Sequence, residues 1–130
     1  MPGYAGNGQS KLLQMNEQRN LWANENVAEG ELSVAFQISR VTSTYYPWGL
    51  SFEVIFSGDP GAFEIDIMGA NSDNNFSYVQ IGSITDASGS IVAGQFVGRW
   101  DMPSNIWPKF IAAYMKTITN AVKVNLEVTR

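Results

Sequence analysis

At 130 residues with 45% apolar side chains, the chain has room for a single packed core, and no apolar run is long enough to span a bilayer. It contains no cysteine and no histidine, which excludes disulfides, thiolate chemistry, the commonest metal ligand and the usual general base. A net charge of −4, with four Lys and four Arg scattered from Lys11 to Arg130, argues against nucleic acid as a partner.

Residues 1–30 read differently from the rest. Gly3, Gly6 and Gly8 punctuate the start, no basic segment precedes an apolar one, and a secretion signal is therefore not expected. Four asparagines between Asn16 and Asn26 weaken any helical stripe through Leu12 and Met15. The segment reads as an extended N-terminal arm on a β-domain of residues 31–130. A frayed terminus is the plain alternative, but Leu12, Leu13, Met15, Leu21 and Trp22 are too many apolar side chains for a solvated tail, so the arm is expected to dock on a partner.

From residue 31 the pattern is nearly all strand. Val34, Phe36 and Ile38 alternate with small or polar residues, and an aromatic loop through Tyr45, Tyr46 and Trp48 follows. Leu50, Phe52, Val54 and Phe56 share one face of the next strand, and Phe63, Ile65 and Ile67 share one face of the strand after it. Between them Ser57-Gly-Asp-Pro-Gly61 supplies turn chemistry, so an antiparallel hairpin is the expected pairing. Residues 69–75 form a polar loop, Phe76 to Ile81 a short strand, and Thr85 to Ser90 a turn. Ile91 to Trp100 reads as one strand weakened by Gly94 and Gly98. Ile106 to Lys116 fits either helix or strand, and the loop-like Thr117 to Ala121 after it favours a strand ending in a hairpin. Val122, Val124, Leu126 and Val128 make the last strand. About eight strands at regular spacing predict an all-β antiparallel sandwich of the jelly-roll type.

Three constellations bear on chemistry. Glu64 and Asp66 share a strand face, with Glu53 across the expected hairpin, a carboxylate set of the kind that hydrolyses glycosides; a solvated outer face explains the same residues. Asn71, Asp73, Asn74 and Asn75, with Asp59, offer oxygens for calcium but lack EF-hand order, and the same residue types favour tight turns. Tyr45, Tyr46 and Trp48, and the loop flanked by Trp100 and Trp107, suit a protein-docking patch or a sugar platform, or they cap the ends of the core. With no phosphate loop and no Cys/His metal spacing, the expectation is a non-enzymatic protein without catalytic residues, cofactor or metal.

The succession Ser33-Val-Ala-Phe-Gln-Ile-Ser, Tyr46-Pro-Trp-Gly-Leu-Ser-Phe-Glu-Val, Pro60-Gly-Ala-Phe-Glu-Ile-Asp-Ile, Asp73-Asn-Asn-Phe-Ser-Tyr-Val-Gln-Ile-Gly and Val122-Lys-Val-Asn-Leu-Glu-Val-Thr-Arg resembles the jelly-roll cement, or head-decoration, proteins of short-tailed double-stranded DNA bacteriophages. The resemblance spans residues 31–130 and rests on style and strand order. It implies a virion structural protein, made in the host cytoplasm, that binds as a dimer or trimer across neighbouring major capsid subunits on the head surface. Neither nucleic acid nor membrane is an implied partner. The competing expectations are a carbohydrate-binding or host-adhesion module, and a tail or neck component of the same virion.

Overall fold

The computed structural model describes residues 11–13, 17–38, 49–72, 77–103, 105–106 and 108–130. Ten strands run in chain order: β1 (Lys11–Leu13), β2 (Gln18–Asn26), β3 (Phe36–Ile38), β4 (Ser51–Phe56), β5 (Phe63–Ala70), β6 (Val79–Thr85), β7 (Gly89–Val92), β8 (Gln95–Asp101), β9 (Phe110–Ile118) and β10 (Lys123–Thr129). A 3-10 turn, Asp86–Ser88, links β6 to β7. One sheet has the order β1-β3-β9-β5-β6 and the other β2-β10-β4-β8-β7.

Without β1 and β7, the two four-stranded orders are those of a jelly roll: successive strands alternate between sheets except β5 and β6, which pair within the first, and every neighbouring pair is antiparallel. β1 extends the first sheet by pairing parallel with β3, and β7 extends the second by a hairpin with β8. The all-β sandwich expected from the sequence is therefore the fold, with ten strands among the described residues where about eight were expected.

The core lies between the sheets. Phe63, Ile65, Ile67, Ile111, Met115 and Ile84 face it from one side, and Phe52, Val54, Phe56, Val124, Leu126 and Val128 from the other, all fully or nearly fully buried. These are the one-face positions of alternating strands, each burial worth about 1.5–3 kcal/mol.

Three expectations about pairing are corrected. β4 and β5 do not form a hairpin: they lie in different sheets, and residues 57–62 carry the chain across the core. Period-2 alternation is the same whether two strands lie side by side or face each other across a core, so it cannot decide between the two. Contacts made by the crossing decide it. Pro60 is buried, Asp59 Oδ1 accepts from the Gly61 N–H at 2.9 Å, and Gly61 takes φ 69°. Beneath it, the Phe56 and Phe63 rings meet at 4.7 Å and Phe96 closes on Phe63 at 5.1 Å. The connection from β9 to β10 is likewise a crossing, tied to the first by Asn120 N–H to the Pro60 carbonyl at 3.0 Å and Thr119 N–H to the Ala62 carbonyl at 3.1 Å. Finally, residues 91–100 are not one strand. Ala93 (φ 52°) and Gly94 (φ 83°) make the tight turn of the β7–β8 hairpin, a left-handed pair of the kind two-residue hairpins require.

Candidate functional site

The first group of expected docking residues is largely structural. Leu13, Leu21 and Trp22 are buried in the main core, at most 3% exposed. Residues 18–26 are not an arm but a sheet strand, with β10 as neighbour. The register explains why the strand was hard to read. Leu126 pairs with Trp22 while Glu127 pairs with Asn20, so Leu21 is an extra residue in a bulge, and a second irregularity lies near Asn24, at φ 50°. A bulge lets two adjacent side chains lean toward one face, which breaks the alternation and hides the strand in an Asn-rich sequence. The boundary expected at residue 30 thus falls after a strand that belongs to the sandwich. Leu12 alone of the described members is exposed, at 41%. Met15 lies outside the described residues.

Of the aromatic loop set, Tyr45, Tyr46, Trp48 and Trp107 also lie outside the described residues. Trp100 is not a loop platform. It sits on β8, half-buried, with its ring 5.6 Å from Phe52 and lying against Gly82 of β6. A Cβ at Gly82 would come within 2.1 Å of the indole, so the bare glycine backbone is what lets Trp100 close the flank between the sheets.

The carboxylate set is divided by the fold. Glu53 is on β4, opposite Glu127 and Arg99, in the other sheet from Glu64 and Asp66. Glu64 and Asp66 remain together on the outer face of β5. Asp66 is only 8% exposed, accepts from Gln80 Nε2 at 3.0 Å, and stands opposite Tyr114 and Ser83 in the neighbouring strands. Lys116 reaches Glu64 at 3.6 Å, carried there by a bulge that makes it an extra residue between Met115 and Thr117. Burial pushes the Asp66 carboxyl up to about 6, helped by the hydrogen bond and negative charge of Glu64 and opposed by Lys116.

Around this pair the outer face is not wet, as alternation alone would have it. Met68, Ala70, Ala112, Ala35 and Tyr78 form a second small core, flanked by Leu32, Phe110 and Tyr114. The chain before β3 covers it: Ser33 N–H donates to the Ala113 carbonyl at 2.9 Å, and Ser33 Oγ accepts from Ala113 N–H at 2.8 Å. The outer face of the other sheet is polar, with Asn20 Nδ2 on Asn125 Oδ1 at 2.7 Å and Gln18 on Glu127. There, Asp101 is held below the usual carboxylate range by a hydrogen bond from Ser51, then by Arg99.

Between the end of β5, the start of β6 and the segment leading into β9, a groove of about 220 Å³ opens, lined by Gly69, Ala70, Asn71, Ser77, Val79, Ile81, Ile106 and Pro108. Its described lining carries no charge. Asn71 belongs to it, whereas Asp73, Asn74 and Asn75 of the considered calcium loop lie outside the described residues, and Asp59 is engaged in its own turn at the far side of the fold. Among the described residues no three carboxylates gather to hold a metal ion.

What remains on the described surface is apolar and marginal. Its exposed large hydrophobic side chains are Leu12, Val34, Val79, Ile91 and Val92, all on sheet-edge strands or in the segment leading into β3. The candidate site is therefore the rim of the sandwich, a surface suited to contact with other protein. No family model and no curated protein matches the chain.

Proposed function

We propose that the protein is a capsid cement, or decoration, protein that binds across neighbouring major capsid subunits and stabilises a phage head. The observation that carries the reading is the placement of exposed apolar side chains along the rim of a complete jelly roll, while the acidic pair on its outer face is packed among neighbours. A cement protein needs many identical, modest contacts and no chemistry. A rim with few charges gives contacts that vary little with ionic strength. The jelly roll also serves in capsid, lectin and cupin domains, so fold alone does not select the role.

The test is co-sedimentation of the purified chain with expanded and unexpanded phage heads that lack it. Stoichiometric binding to expanded heads, with greater resistance of those heads to heat, is the expected result. Failure to bind either form would overturn the reading.

A further inference from the structure

We infer that β7 pairs antiparallel with β7 of a second copy of this chain, about a two-fold axis at Ile91, joining two five-stranded sheets into one of ten. The inference rests on the geometry of β7 and not on the decoration reading.

Ile91 pairs with Phe96, whose side chain is 4% exposed and points into the core. Residues directly opposite in an antiparallel pair share a face, so Ile91 is also on the core-facing side. Yet it is 47% exposed. The cause is the different reach of the two sheets. The first sheet ends at β6, which lies over β8 through the Gly82–Trp100 contact, whereas the second continues one strand further, to β7. The core-facing side of β7 overhangs, packed on β8 and the 3-10 turn. On the opposite face Val92 is 57% exposed.

An edge strand in this state invites pairing unless something blunts it. The other outer strand of the same sheet is blunted: β2 carries Arg19 and Glu25, two register irregularities and a left-handed Asn24. Residues 79–92 contain no Lys, Arg or Pro, and one carboxylate, Asp86. β7 is short, at four residues, but it carries no charge and its pairing with β8 is regular.

A second copy fits this edge for two reasons. With the axis at Ile91, that residue faces its own mate, and the two half-exposed side chains cover each other while Ser90 meets Val92. The seam also holds no charge, so two chains of net charge −4 meet there without like charges in contact.

Because the chain lacks cysteine, the geometry can be read covalently. Ile91→Cys should form an intermolecular disulfide under mild oxidation, since directly opposed strand residues lie about 4.5–5.5 Å apart. Val79→Cys, more solvent-accessible but on β6, should not. Light scattering on the wild type at about 100 µM should give twice the 14.3 kDa of one chain, and Ile91→Lys should halve that mass with an unchanged far-UV spectrum. A monomeric wild type, a dimer that survives Ile91→Lys, or equal crosslinking at 79 and 91 would overturn the proposal. Should Ile91→Lys fail to fold, the crosslinking pair alone decides.

Discussion

Asp66 shows how one residue can cost stability in its own fold. Its carboxyl titrates near 6 in the folded chain against an ordinary value of 3.8. Between those pH values the native state holds a proton that the unfolded chain has released. This group therefore favours folding at low pH, and that contribution is lost as pH rises through about 6. Asp66→Asn keeps an oxygen to accept from Gln80 and adds a donor toward Glu64. At pH 7.5 the variant should be more stable than wild type by about 1 kcal/mol, with the gap closing toward pH 4. Urea melts of both proteins across this range check it, and a gap independent of pH would refute the raised pKa of Asp66 as the cause. Taking the difference cancels Asp101, whose lowered pKa acts in the opposite direction. Lys116 and Glu64 on the same face, with Tyr114 opposite, are the other ionisable groups that meet Asp66.

At the scale of elements, bulges and turns carry information that alternation does not. The β7–β8 hairpin turns on Ala93 and Gly94, both at positive φ. Glycine occupies such a conformation freely, while an alanine pays about 1 kcal/mol for it. Ala93→Asn should therefore raise stability by roughly 0.5–1 kcal/mol, read as a higher urea midpoint at unchanged slope. The two bulges flanking Trp22 and the one at Lys116 do the opposite service. They admit residues the regular pleat would exclude, packing Leu21 beside Trp22 in the core and aiming Lys116 at Glu64.

For the whole molecule, the position of β2 changes what the N-terminal segment is for. Trp22 is 3% exposed in the main core, so Trp22→Ala should cost about 3–5 kcal/mol in thermal or denaturant unfolding. Leu12→Ala, at an exposed edge, should stay within about 0.5 kcal/mol. Deleting residues 2–26 would strip the outer strand from β10 and leave its edge and the Leu126 and Val128 side of the core open to water. Most contacts in a jelly roll join distant parts of the chain, so folding in the millisecond-to-second range is the natural expectation.

How much of this was legible beforehand depends on the kind of information each feature needs. The strands β4, β5 and β10 could be read from side chains alone, because an apolar residue at every second position is a local signal of one buried face. Turn residues such as Pro60 and Gly61 marked where the chain bends, though not toward which strand. The candidate docking residues fared unevenly for the same reason: Leu21 and Trp22 announced that they would be buried, but their covering surface was set by β10, a hundred residues away. By itself the amino-acid sequence determined the all-β class, the core faces of the regular strands and the absence of thiol and imidazole chemistry, since these follow from residue type and local periodicity. Only the tertiary structure decided that β4 and β5 face each other across the core, that Glu53 is parted from Glu64 and Asp66, and that β7 overhangs its sandwich. Those outcomes depend on which strand meets which, and the pairing energy lies in contacts that no short window contains.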